Sequence, residues 1–170
     1  MQLETPLESV RAALEAARHS GAMAVLNPAP FVRVDDELLH LCEFIIPNEN
    51  EASQLSGIPV RDLNSAAAAA RAVRNRAPSA NIVVTLGADG VWLDTRSYTG
   101  HVRGFPVTAV DTVGAGDTFI GAFVVRIVER ADVREAARFG CAAAALAVTR
   151  RGAQTSIPAR AEVEEWLRQF

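Results

Sequence analysis

The run Asp111-Thr112-Val113-Gly114-Ala115-Gly116-Asp117-Thr118-Phe119 sets two carboxylates on either side of a loop of small residues that leads into a helical pattern. Small side chains let backbone N–H groups face an incoming anion, and a helix N-terminus adds unsatisfied donors and a partial positive charge. Gly114 to Asp117 is therefore suited to hold a phosphate whose charge builds up during transfer. Asp117, at the start of the helix, could accept the proton of a hydroxyl that attacks such a phosphate. The spacing alone leaves a second reading open, in which Asp117 is an N-cap and the glycines form an ordinary tight turn.

A loop of this kind works only when a rigid frame holds it, and the rest of the chain predicts one. Apolar runs bounded by turn residues alternate with helical patterns, the signature of an α/β sheet with helical crossovers. Thr5-Pro6-Leu7-Glu8 predicts a helix from Pro6 to about His19, with Thr5 as its cap. Only Met1 to Leu3 is available for a strand before it. Ala22 to Leu26 reads as a short strand stopped by Asn27-Pro28-Ala29-Pro30, and a loop follows. Phe44-Ile45-Ile46 reads as a buried strand ended by Pro47, after which Asn48-Glu49-Asn50-Glu51 opens a helix to about Ser56.

Asn64 is expected to cap an Ala-rich helix, Ser65 to Arg76. Asn81 to Leu86 is the clearest strand, all apolar at Ile82-Val83-Val84 as a strand buried on both faces requires, and Gly87 ends it. Val91-Trp92-Leu93 and the segment from Tyr98 to Val102 predict a small antiparallel pair, because too few residues separate them for a helical crossover. Helices are expected at Asp117 to Arg130, Val133 to Thr149 and Ala159 to Gln169. No repeat, linker or second domain is visible, so residues 1–170 are expected to form one α/β domain, a mostly parallel sheet with helices on both faces.

The 170 residues are 49% hydrophobic and 22% charged, proportions of a globular chain that exclude disorder, collagen-like repeats and a coiled coil. All 17 positive charges are arginines, scattered among 20 carboxylates at a net charge of −3, which argues against a nucleic-acid partner. The longest apolar stretches, such as Ala66 to Ala70 and Cys141 to Val148, fall far short of the roughly 20 residues that span a bilayer. Met1 to Val10 carries two glutamates and no basic residue, unlike a secretory signal. These features predict a soluble, cytoplasmic chain without a membrane partner. Cys42 and Cys141 lie far apart without metal-ligand spacing and read as buried free thiols. His19, His40 and His101 show no partner spacing and read as surface or packing residues.

The Asp111 to Thr118 run resembles the C-terminal signature of the PfkB sugar kinase family, and the chain as a whole is similar to the C-terminal part of its ribokinase branch. Five further pieces match in the same order: Met1-Gln2-Leu3-Glu4, Asn27-Pro28-Ala29-Pro30, Pro47-Asn48-Glu49-Asn50-Glu51-Ala52, Val84-Thr85-Leu86-Gly87-Ala88-Asp89-Gly90-Val91, and Ala147-Val148-Thr149-Arg150-Arg151-Gly152-Ala153-Gln154. The resemblance implies a ribokinase-like α/β fold truncated at its N-terminus. It also implies a kinase that moves the γ-phosphate of ATP to the 5-hydroxyl of D-ribose.

Within it, Asp117 would be the general base, with Gly114, Ala115 and Gly116 as the anion hole. Asn48 and Glu51 would match an Asn-x-x-Glu element that organises Mg²⁺ near the phosphates, with Asn48 also meeting the nucleotide, while Thr85 and Gly87 would meet it at the end of a parallel strand. Asn48 as a simple helix cap, and Thr85-Leu86-Gly87 as a strand and plain turn, are the alternatives. Cys141 stands where the family has a histidine beside the adenine. A K⁺ site would use Asp111, Val113, Ala147, Arg150, Gly152 and Ser156, the alternative being a surface salt bridge between Asp111 and Arg150. Glu4, with Asp117, would reach the sugar.

The resemblance implies that the first strands of the sheet, the lid and most sugar-binding groups lie outside this chain. An open sheet edge at Met1 to Leu3 predicts self-association or a homodimer. A kinase for another sugar or a nucleoside, and an inactive nucleotide-binding fragment, are the competing readings.

Overall fold

The computed structural model describes residues 1–170. In chain order the elements are α1 (Leu7–Ser20), β1 (Val25–Leu26), α2 (Asp36–Leu39), β2 (Phe44–Ile45), α3 (Glu49–Ser56), α4 (Leu63–Arg76), β3 (Asn81–Thr85), β4 (Gly90–Asp94), β5 (Thr99–Arg103), α5 (Ala115–Val128), α6 (Val133–Val148) and α7 (Arg160–Leu167), with a 3₁₀ turn at Gly87–Asp89. The five strands form one sheet in the order β1-β2-β3-β4-β5. The α/β class expected from the sequence is what folds. Contacts gather the chain into two units, Met1–Thr85 with Trp92–Gly100, and Leu86–Val91 with His101–Phe170.

In the first unit β1, β2 and β3 are parallel, with Val25 opposite Phe44 and Phe44 opposite Asn81. Leu26, Ile45, Ile82, Val83 and Val84 are fully buried, which is why these strands read as unbroken apolar runs. Met1 to Leu3 runs along β1: the terminal amine donates to Val25 O (2.7 Å), Asn27 N to Met1 O (2.9 Å) and Leu3 N to Ala29 O (2.8 Å). β4 and β5 are joined by a turn in which Thr95 N donates to Tyr98 O (2.9 Å). The Ala-rich α4 buries Ala66, Ala69, Ala70 and Val73, so its small residues form the face that packs on β3.

Several boundaries differ from expectation, and three of the differences in the first unit have a local reason. Pro6 is itself the N-cap of α1, with extended backbone, so the helix starts one residue later and Thr5 does not cap it. Asp62, not Asn64, caps α4 through a capping box in which its carboxylate accepts from Ser65 N (2.7 Å) and Ser65 Oγ accepts from Asp62 N (2.9 Å). The segment expected to be a loop after Pro30 contains α2, one turn capped by Asp35, which buries Leu38 and Leu39.

The second unit is built on α5 packed against α6. Close approach depends on Gly140, where an added Cβ would lie 2.8 Å from the Phe119 ring. Phe119 stacks on Phe123 in the same layer, their centroids 5.8 Å apart. Phe105, Trp166 and Phe170 form an aromatic cluster that fixes α7, with the Arg138 guanidinium 5.1 Å from the Phe105 centroid. No helix is long and apolar enough to cross a membrane.

Candidate active site

In the second unit α5 begins at Ala115, two residues earlier than the sequence pattern suggested. Its N-cap is Gly114, in the left-handed region at φ +76°, and no side chain caps the helix. Asp117 is therefore the third residue of the helix, exposed, and the reading that makes it an N-cap does not hold. Thr118 closes the turn from the inside, its hydroxyl donating to Gly114 O (2.9 Å). The Gly116 N–H has no backbone acceptor, and a Cβ at Gly116 would meet nothing within 4 Å. Ala115 N makes only a long bond to Thr112 O (3.3 Å). An exposed first turn with open amides, free of side-chain caps, and a carboxylate on the same turn is what anion binding next to a proton acceptor requires.

The turn leading into this helix is held by Asp111. Its carboxylate accepts from Gly152 N (2.9 Å) and Val113 N (3.1 Å), and these two bonds, Gly152 first, hold the carboxyl below the usual carboxylate range. Arg150 pairs with Glu162 (2.6 Å), so the alternative of an Asp111–Arg150 surface salt bridge is not what the structure contains. Ala147 is buried at the end of α6, and Ser156 is buried with its hydroxyl donating to Ala153 O (2.9 Å), whereas Val113 is exposed. Cys141 is buried within α6, and desolvation pushes its thiol up to about 12. The Gly87–Asp89 turn after β3 starts with Gly87 at φ +53°.

In the first unit the pieces cluster at the ends of the parallel strands. Asn48 caps α3 with a full capping box: Glu51 N donates to Asn48 Oδ1 (2.9 Å), and Asn48 N donates to Glu51 Oε2 (2.9 Å). The Asn48 side-chain amide also donates to Glu51 Oε1 (2.8 Å). Asn48 further forms a parallel bridge with Thr85, whose N–H donates to Pro47 O (2.9 Å), so Asn48, Glu51 and Thr85 are brought together. The cap reading of Asn48 and its place in a site are thus compatible.

Glu51 is only 7% exposed and has no arginine partner among the ion pairs. Burial pushes its carboxyl up, against the hydrogen bonds from Asn48 and Asn27. A buried carboxylate satisfied by amides alone is a hard-oxygen donor suited to a divalent cation brought by a ligand. No group of three or more His, Cys, Asp or Glu side chains forms a metal site by itself. Glu4 is exposed just beyond Leu3.

Asn27 is a further polar residue of this cluster, one that short-range spacing does not point to. At the end of β1 its amide donates to Ile46 O (2.8 Å) and more weakly to Glu51 Oε2 (3.4 Å), while its carbonyl accepts from Gln2 Nε2 (3.3 Å). Its only sequence signal was its position ahead of Pro28-Ala29-Pro30.

Comparison with known proteins shows the family to which the chain belongs. The pfkB carbohydrate kinase family profile matches residues 1–160. A ribokinase of Haemophilus influenzae is 47% identical over 167 residues, which cover 98% of this chain and 54% of that protein. A deoxyribokinase of Salmonella typhi is 40% identical over 168 residues, 98% of this chain and 55% of that protein. The structure of Arabidopsis thaliana ribokinase complexed with ribose and ATP superimposes with a TM-score of 0.88 at 32% identity, over 98% of this chain and 54% of that one. The chain thus spans about half the length of the relatives it matches. By the extent of that match and by the fold they share, the chain belongs to the PfkB family of carbohydrate kinases.

Proposed function

We propose that this chain carries the phosphate-transferring part of a sugar kinase that uses ATP, with the 5-hydroxyl of D-ribose as acceptor. The observation that carries the reading is the first turn of α5, where Asp117 and the open Gly116 amide stand together without a side-chain cap. In this reading Asp117 takes the proton of the sugar hydroxyl as its oxygen attacks the γ-phosphorus. The bond to the bridging oxygen of ADP breaks, and the amides of Ala115 and Gly116 meet the charge that develops on the phosphoryl oxygens. Asn48, Thr85 and Gly87 serve the nucleotide, and Glu4 the sugar. Ribokinase relatives favour D-ribose, and deoxyribokinase relatives favour 2-deoxyribose as the second acceptor to test.

Two cations fit the donor sets. Glu51, with Asn48 beside it, would hold Mg²⁺, which when bound neutralises phosphate charge. The Asp111 carboxylate, the Ser156 hydroxyl and the backbone carbonyls of Val113, Ala147, Arg150 and Gly152 form an all-oxygen set suited to K⁺. Glu51→Gln keeps the shape of the side chain and removes its charge. It is expected to weaken binding of MgATP by about tenfold without changing that of metal-free ATP. Titration calorimetry of the chain with and without Mg²⁺ checks this, and equal losses for both ligands would detach Glu51 from the metal. Comparing kcat/KM for ribose and 2-deoxyribose in an active form distinguishes the two acceptors.

A further inference from the structure

We infer that Asp111 is a positioning residue: its carboxylate is a strut that sets the shape of the anion-binding turn by hydrogen bonds alone, whether or not a cation is bound. The inference rests on reading the α5 turn as the anion hole. The two carboxylate oxygens of Asp111 reach separate backbone donors, Val113 N two residues on and Gly152 N 41 residues on in the chain. The backbone of Asp111 is itself anchored, since Val110 N and Asp111 N both donate to Val148 O (2.7 and 3.2 Å) at the end of α6.

The far end of the strut is equally fixed. Arg150 pairs with Glu162 of α7, Ser156 is 1% exposed and bonds to Ala153 O, and Gly152 takes a left-handed φ of +92°. The two loops approach each other closely at Gly114, where an added Cβ would fall 3.4 Å from Ala153 Cα and 3.5 Å from its Cβ. A carboxylate accepting two backbone N–H bonds is a stronger tie than two neutral bonds. Removing it frees the 150–153 loop from the turn that aims the Ala115 and Gly116 amides. A role confined to holding a cation would not require both oxygens to be engaged by the chain itself.

Amide hydrogen exchange on the full 170-residue chain tests this, with Asp111→Asn and Asp111→Ala measured in tetramethylammonium buffer free of alkali cations and again in KCl. In both buffers Val113 and Gly152 should exchange about tenfold faster in each variant, while the α6 core amides keep their protection and so report an intact fold. In an active form, kcat should fall at saturating K⁺ with little change in KM for ATP. Unchanged exchange in the cation-free buffer, or full recovery of exchange and kcat by K⁺, would overturn the strut and leave Asp111 a cation ligand. Faster exchange in a chain whose wild type binds no nucleotide would sustain the strut and remove the anion-hole reading.

Discussion

Asp117→Asn is expected to lower kcat for sugar phosphorylation by about three orders of magnitude, within the range a positioned general base supplies. The amide keeps the size of the side chain and its ability to accept a hydrogen bond, but it cannot take the proton. Affinity for MgATP should stay within about threefold, because the backbone amides of the turn are untouched. No side chain caps α5, and the charge of a carboxylate in a helical first turn contributes about 1 kcal/mol or less at the surface. A fall in nucleotide affinity or melting temperature with kcat preserved would return Asp117 to a structural role. Steady-state kinetics and a thermal melt on the same preparation separate the two.

Gly90→Ala is expected to cost roughly 4 kcal/mol, combining glycine-only backbone strain with overpacking. Gly90 sits at φ +95°, and an added Cβ would fall 2.2 Å from Val102 O and 2.3 Å from Gly104 N. Those atoms are backbone and cannot rotate away. The residue closes the turn that starts at Gly87, its carbonyl accepting from Leu86 N (2.8 Å), so the loop assigned to the nucleotide would be displaced as well. For a chain of this size the melting temperature should drop by about 10 °C. Gly21→Ala is the control: its φ is also positive, at +72°, but nothing lies within 4 Å of an added Cβ, so it should cost only the strain. Equal losses in the two variants would mean that the close approach at Gly90 carries no weight.

What could be read from the sequence was what short-range spacing encodes. The buried strands announced themselves as apolar runs, and the residues of the Asn48-x-x-Glu51 box lie three apart, the distance at which a cap and its partner meet. Where two caps competed, local pattern could not decide: Asp62 with Ser65 and Asn64 alone are both acceptable starts, and the chain uses the one that makes two reciprocal bonds. The single turn of α2 is too short to show a helical period. The helix that carries Asp117 starts two residues before it, at Ala115, and a glycine N-cap leaves no side-chain signature of that start. The Asn27–Glu51 and Asp111–Gly152 bonds join residues 24 and 41 positions apart, and only the folded chain brings them together.

The claim that this chain carries the phosphate-transferring part of a sugar kinase is tested most directly by ³¹P NMR of MgATP and D-ribose. The chain is incubated with them alone and with the N-terminal half of the Haemophilus influenzae relative, which supplies the portion that this chain does not match. The mixture should form ribose 5-phosphate and ADP in equal amounts, the chain alone should form no ribose 5-phosphate, and Asp117→Asn should cut the ribose 5-phosphate formed by the mixture about a thousandfold. A mixture that binds MgATP yet forms no ribose 5-phosphate, or one that forms it undiminished with the Asp117→Asn chain, would contradict the account.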